Sequence, residues 1–189
     1  LAPLFQVSFK GNHGASPRIA GEQKFGTSPI AGWADAKGSF ADSRPEPFGP
    51  LPRKHVQWLG NYVANDQVVL SYKVHGVGIL EQPGSIEKDG QTVFARSIKY
   101  EDISADLVTM VCEVENAKGG MEDGVAILVA GDQVTQVALM NAPKGSVLEV
   151  QKNKRVVARL AKGTKSGTLQ IHIWRGAKAD LAQFAILAK

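Results

Sequence analysis

The sequence predicts an all-β protein, an antiparallel β-sandwich or barrel of about ten strands, with a long Pro/Gly-rich N-terminal strap. Three observations predict it. From Trp58 onward, short runs of alternating apolar and polar residues recur between turn dipeptides. No convincing amphipathic helix interrupts them. Residues His13 to Arg53, by contrast, hold most of the prolines and show neither a helical nor a strand period.

The strap, residues 1–55, is read as ordered and packed on a core of residues 56–189, the two making one structural domain over 1–189. Pro17, Pro29, Pro45, Pro47, Pro50 and Pro52 remove backbone donors and fix φ, so no central strand runs through them. Irregular stretches this long inside a compact domain are usually functional or disordered. Disordered linkers are poor in apolar residues, whereas Phe25, Ile30, Trp33, Phe40, Phe48 and Leu51 recur here. Trp33 and Phe40 are the expected anchors. Arg18, Arg44 and Arg53 are expected to cross-link the strap through bidentate pairs with Glu22, Asp35 or Asp42, since a guanidinium can tie down backbone that has no ladder.

In the core, QVVLSYKV alternates cleanly and follows an Asn65-Asp66 turn after WLGNYVA. Further strands are predicted at VGILEQ, TVFARSIKY, LVTMVCEVE, GVAILVA, QVTQVALM, SVLEVQ, RVVARLA, TLQIHIWR and AQFAILA, and the segment AKADLAQFAILAK, although rich in helix formers, is read as a strand closing the chain. Turns are expected at Asp89-Gly90, Gly119-Gly120, Gly131-Asp132, Pro143-Lys144-Gly145 and Gly163 to Gly167.

Composition narrows the function classes. The chain of 189 residues is 43% hydrophobic and 21% charged, ordinary globular values. No apolar run approaches the roughly 18 residues of a membrane span. The opening LAPLFQVSF lacks an initiator Met and a signal-peptide pattern, so the chain reads as a mature protein or a piece of a larger one. Its single cysteine, Cys112, lies in an apolar run and reads as a buried, inert thiol. Net charge is +3 over residues 1–55, −6 over 56–145 and +7 over 146–189. The basic end does not read as a nucleic-acid surface, because its cations fall at turns and outward positions with no interleaved aromatics.

Candidate chemistry is sparse. No nucleophile elbow, H-E-x-x-H or phosphate loop is present, so no catalytic residue is assigned. His13 stands at the head of the strap between Asn12 and Gly14, where a small neighbour permits close approach by a partner. Asp35 and Asp42 could bind calcium or satisfy backbone donors in turns; the dense alternation of a dedicated calcium loop is missing. His55, His75 and His172 are dispersed, a poor metal signature.

The runs HGASPRIAGEQKF, GWAD, GSFADSRPEPFGPLPR and VVLSYKVHGVGILEQPG, with the closing RVVARLAKGTKSGTLQIHIWRG, carry a family likeness. They resemble the uncharacterised N-terminal domain of large secreted bacterial proteins of the planctomycete and verrucomicrobial type. That resemblance implies a periplasmic or extracellular setting. It also implies a parent protein with a propeller similar to glucose and sorbosone dehydrogenases and a cytochrome c domain that carries haem c. The CxxCH haem signature is absent from this chain, so no redox role is placed on its residues. Two functions are therefore expected to compete. One is a non-catalytic binding and assembly domain, whose contact surface of His13, Arg18, Trp33, Asp35, Asp42, Arg44 and Arg53 docks to neighbouring domains or to carbohydrate. In the other, His13 or another histidine supplies a ligand to a haem carried by a neighbouring domain.

Overall fold

A computed structural model describes residues 5–7, 17–19, 23–28, 30–42, 44 and 51–181. His13, Glu22 and Phe48, and the expected closing strand AQFAILA, lie outside the described residues. The short strands β1 (Phe5–Val7) and β2 (Pro17–Ile19) pair with each other, Pro17 standing at a strand start where its missing donor costs least.

The core is all-β and antiparallel. β3 (Val56–Ala64), β4 (Gln67–Val74), β5 (Val77–Lys88) and β6 (Gln91–Tyr100) form a meander, and β7 (Leu107–Glu113) crosses to a second sheet. β8 (Lys118–Glu122), β9 (Val125–Ala130) and β10 (Gln133–Met140) return, β11 (Val147–Gln151) and β12 (Arg155–Leu160) join β7, and β13 (Gly167–Ala177) completes the large sheet. The order is β3-β4-β5-β6-β13-β10-β9-β8 in one sheet and β11-β12-β7 in the other. β13 thus slots between β6 and β10 and joins the two meanders.

The turns follow from local chemistry. Asn65-Asp66, His75-Gly76, Asp89-Gly90 and Asp123-Gly124 hold both residues at positive φ. That is the type I′ geometry whose twist matches paired strands, and Asn, Asp and Gly tolerate it best.

Expectation and structure part at three places. Gly119-Gly120 is not a turn but the middle of β8. A Cβ on Gly119 would lie 2.7 Å from the Asn153 carbonyl oxygen, so this glycine admits a close backbone approach rather than a bend. β5 runs on past Gln82 through Pro83, which is tolerated because β4 pairs with β5 only as far as Glu81. Beyond it β5 has β6 on one side alone, and the missing N–H breaks no ladder. Finally, the residues after β13 turn into a short 3-10 helix at Lys178–Asp180 instead of extending as strand.

The two sheets pack face to face. Val74, Ile79, Ile98, Leu128, Val137, Ile171 and Ile173 of the large sheet meet Leu107, Val111, Val156, Ala158 and Leu160 of the small one in a single buried cluster. Cys112 lies within it, and burial pushes its thiol up to about 12, so it stays a protonated, inert group.

The strap completes the small sheet. Gly26 bridges Glu113 and Trp33 bridges Thr109, both antiparallel, along the free edge of β7. The Ala34 N–H donates to the Val108 carbonyl at 2.9 Å and the Met110 N–H to the Gly32 carbonyl at 2.8 Å. Seven residues separate Gly26 from Trp33 but only four separate their partners Glu113 and Thr109, so the strap does not keep a regular ladder along this edge. An edge strand accepts such irregularity where a central one does not. On either side of Trp33 the strap covers the small sheet, where Ile30, Ala34 and Phe40 pack on Val108, Met110 and Val157.

Candidate binding surface along the strap

Two anchors hold the strap. Trp33 and Phe40 are each 6% exposed, and the Arg155 guanidinium sits 5.6 Å from the centroid of the Phe40 ring. Trp33, expected both as an anchor and as part of the contact surface, is turned inside, its ring tilted against Tyr72 with centroids 6.3 Å apart.

Behind Trp33 lies a buried polar chain that crosses the molecule. The Trp33 indole N–H donates to the Tyr72 hydroxyl at 3.3 Å, which donates to Glu81 at 2.5 Å. Arg96 grips the same carboxylate through Nε at 2.6 Å and Nη2 at 3.2 Å, and its Nη1 donates to the Met110 carbonyl at 3.0 Å. The Thr109 hydroxyl, fully buried, donates back to the Gly32 carbonyl at 3.2 Å. Strap, β4, β5, β6 and β7 are thereby tied through one set of satisfied groups. Burial pushes the Glu81 carboxyl up, but the Arg96 charge and the hydrogen bonds from Arg96 and Tyr72 outweigh it and hold it below the usual range. Burial and the Glu81 charge push the Tyr72 phenol far up, which keeps it a donor.

The expected acidic residues serve the strap's own backbone. Asp35 Oδ1 accepts from the N–H groups of Ser39 and Lys37, both at 2.9 Å, and these bonds lower its pKa. Asp42 pairs with Arg44 in a two-pronged grip, Nε to Oδ1 at 2.8 Å and Nη2 to Oδ2, and accepts from the Arg44 N–H at 3.0 Å. The Arg44 side chain lowers the Asp42 pKa to about 2. The expected cross-link is present for Arg44. Arg53 sits exposed on the turn before β3, and of Arg18 only the strand pairing is described. Replacing Arg44 by lysine keeps the charge but loses the fork, so thermal melting should fall for Arg44→Lys, by less than for loss of a buried anchor.

Two cavities have the strap as one wall. The larger, about 500 Å³, is bounded by Gln23 to Ser28, by Glu113 to Glu115, and by Ala130 and Arg175. Here Glu113 accepts from the Ser28 N–H at 3.2 Å and from its hydroxyl, and from Arg155 at 3.1 Å. Burial raises the Glu113 pKa, and these hydrogen bonds and the Arg155 charge bring it below the usual range. The second cavity, about 360 Å³, is lined by Asp35, Ala36, Lys37, Pro52, Lys54, His55 and His75. The two imidazoles stack with centroids 5.0 Å apart, and both Nε2 atoms lie 3.0 Å from the Ala34 carbonyl oxygen. Each Nε2 therefore carries the proton and donates to the strap. Neither this histidine pair nor Arg175 was marked by sequence pattern. His172 is buried, with Nε2 3.2 Å from the Gln170 side-chain oxygen, and burial lowers its pKa. Among the described residues no group of three or more His, Cys, Asp or Glu is placed to hold a metal ion. No described helix is long and apolar enough to cross a membrane.

No curated protein matches the chain. Among solved structures, one named "Putative kojibiose phosphorylase from human microbiome" is 15% identical, with a TM-score of 0.40 over 65% of this chain. This chain spans only 19% of that one. Residues 4–81, the strap and the first meander strands, match the family described as Domain of unknown function (DUF6797).

Proposed function

We propose that the chain is a non-catalytic binding and assembly domain of a larger secreted redox protein of dehydrogenase and cytochrome c type. It docks to neighbouring domains of that protein, or to its carbohydrate substrate, through the strap side. One observation carries the reading: the strap walls both cavities while its anchors are locked into the core. Irregular segments held on a rigid sheet are where binding residues concentrate. The parent architecture rests on the sequence resemblance.

Calorimetry of the whole chain against separately expressed neighbouring domains, and against plant and algal polysaccharides, tests it. Binding is expected to one of these, weakened by Lys37→Ala with Arg53→Ala on the strap side and untouched by Tyr62→Ala on β3, whose ring is exposed. Heat in neither titration, or binding lost only with Tyr62→Ala, would overturn the proposal. So would sugar turnover by the chain without added cofactor.

A further inference from the structure

Arg175 stands apart from the other arginines whose side chains are described. Arg44, Arg96, Arg155 and Arg159 each grip a carboxylate, and Arg53 is exposed on a turn. Arg175 is half-buried and, among the described residues, makes no ion pair or hydrogen bond through its guanidinium. Its guanidinium faces the cavity with no carboxylate holding it, so a bound anion would gain a charge-assisted, two-pronged contact without breaking an existing ion pair.

Its position suits a ligand. β13 alternates, so Arg175 follows Ile171 and Ile173 on the inner face, opposite Thr135 of β10. There it lines the cavity of about 500 Å³, within the range of small-molecule sites. The acids in that lining do not compete for it. Glu113 is held by Arg155 and Ser28, and Glu115 by Lys154 at 2.6 Å. The remaining lining combines a second cation, Lys24, and hydrogen-bonding side chains, Thr27 and Gln23, whose Nε2 also donates to the Phe25 carbonyl at 3.3 Å, with the apolar Phe25, Val114 and Ala130.

We propose that this cavity binds a hydroxylated carboxylate of sugar-acid type, its carboxylate on the Arg175 fork and its hydroxyls toward Gln23 and Thr27. The proposal rests on the reading of the strap as a binding wall, and it names the chemistry one cavity takes.

Amide-resolved NMR of the whole chain, titrated with sodium glucuronate, glucose and sodium sulfate, tests it. Glucuronate is expected to produce saturable shifts at Gly26, Thr27, Ser28 and Val114, and glucose to produce none. Arg175→Gln and Arg175→Lys should each weaken glucuronate binding by about tenfold or more, the lysine because it lacks the planar fork. Lys144→Gln, in an exposed turn away from the cavity, should bind as the parent chain does. Thr27→Val, on the exposed strap and away from the sheet, gives a second variant that should weaken binding should Arg175 variants fail to fold. Absence of glucuronate shifts, equal shifts from glucose, or full binding by a folded Arg175→Gln would overturn the site. Sulfate giving the same shifts would overturn selection of a carboxylate. Glucuronate binding with no domain or polysaccharide docking would sink the assembly reading and leave this site standing; docking without glucuronate binding would do the reverse.

Discussion

Trp33→Ala is expected to lower stability by about 3–5 kcal/mol, the usual cost of removing a buried aromatic. In a chain of this size that is a fall in Tm of roughly 10 °C. The loss has two sources. Trp33 fills space between the sheets against Tyr72, and its indole N–H satisfies the Tyr72 hydroxyl at 3.3 Å. Trp33→Phe separates them, since it keeps most of the apolar area and removes the hydrogen bond, and should cost about 1–2 kcal/mol. Lys144→Ala, in an exposed turn, serves as control and should change stability by no more than about 0.5 kcal/mol. A Trp33→Ala melting curve that overlays the control would show that the strap is not held by its anchor.

Arg96→Met should be still more damaging than its size suggests, because it strands the Glu81 carboxylate, only 8% exposed, without its partner. Breaking a buried pair from one side costs about 3–5 kcal/mol, whereas replacing both members by apolar residues of similar volume is often close to neutral. The double variant Arg96→Met with Glu81→Leu should therefore melt well above Arg96→Met alone. The pH dependence has a definite sign. The folded Glu81 pKa lies below its unfolded value of about 4.3. Its contribution is present above that pH and is lost as pH falls through the folded value. The stability gap between the parent chain and Glu81→Gln should narrow on acidification below about pH 4.3. A gap that stays constant from neutral pH to pH 3 would mean that the pair adds nothing through its charge.

Much of this architecture is legible from local pattern. Period-two alternation marks the core strands, and Asn65-Asp66 and Asp89-Gly90 mark hairpins because few other pairs tolerate positive φ twice in succession. The aromatic spacing of the strap points to Trp33 and Phe40 as anchors. Register defeats the same reading at the histidines. A hairpin turning at Asn65-Asp66 without interruption would set His55 opposite Gly76. The bulge between Trp58 and Gly60 moves it opposite His75 instead, and nothing short of the folded ladder reveals that bulge. The pairing of Glu81 with Arg96 follows from the unbroken β5–β6 hairpin, whereas the place of Arg175 is a product of strand order, since β13 reaches its position only by crossing between sheets. Gly119-Gly120 misleads for a different reason: a glycine that yields room to a neighbouring backbone looks, in sequence, like one that bends its own.

The strap's bridges to β7 join residues 26 and 33 to residues 113 and 109, partners remote in sequence, whereas Tyr72, Glu81 and Arg96 come from consecutive hairpins. Chain-closure entropy therefore orders assembly in time. The β4 to β6 meander can form early, and the strap docks only once β7 has been delivered to the second sheet. Where docking follows the rate-limiting barrier, Trp33→Ala is expected to speed unfolding and leave the folding rate nearly unchanged, which stopped-flow kinetics would check. On that order of events the strap is expected to govern the lifetime of the folded molecule more than the speed with which it forms.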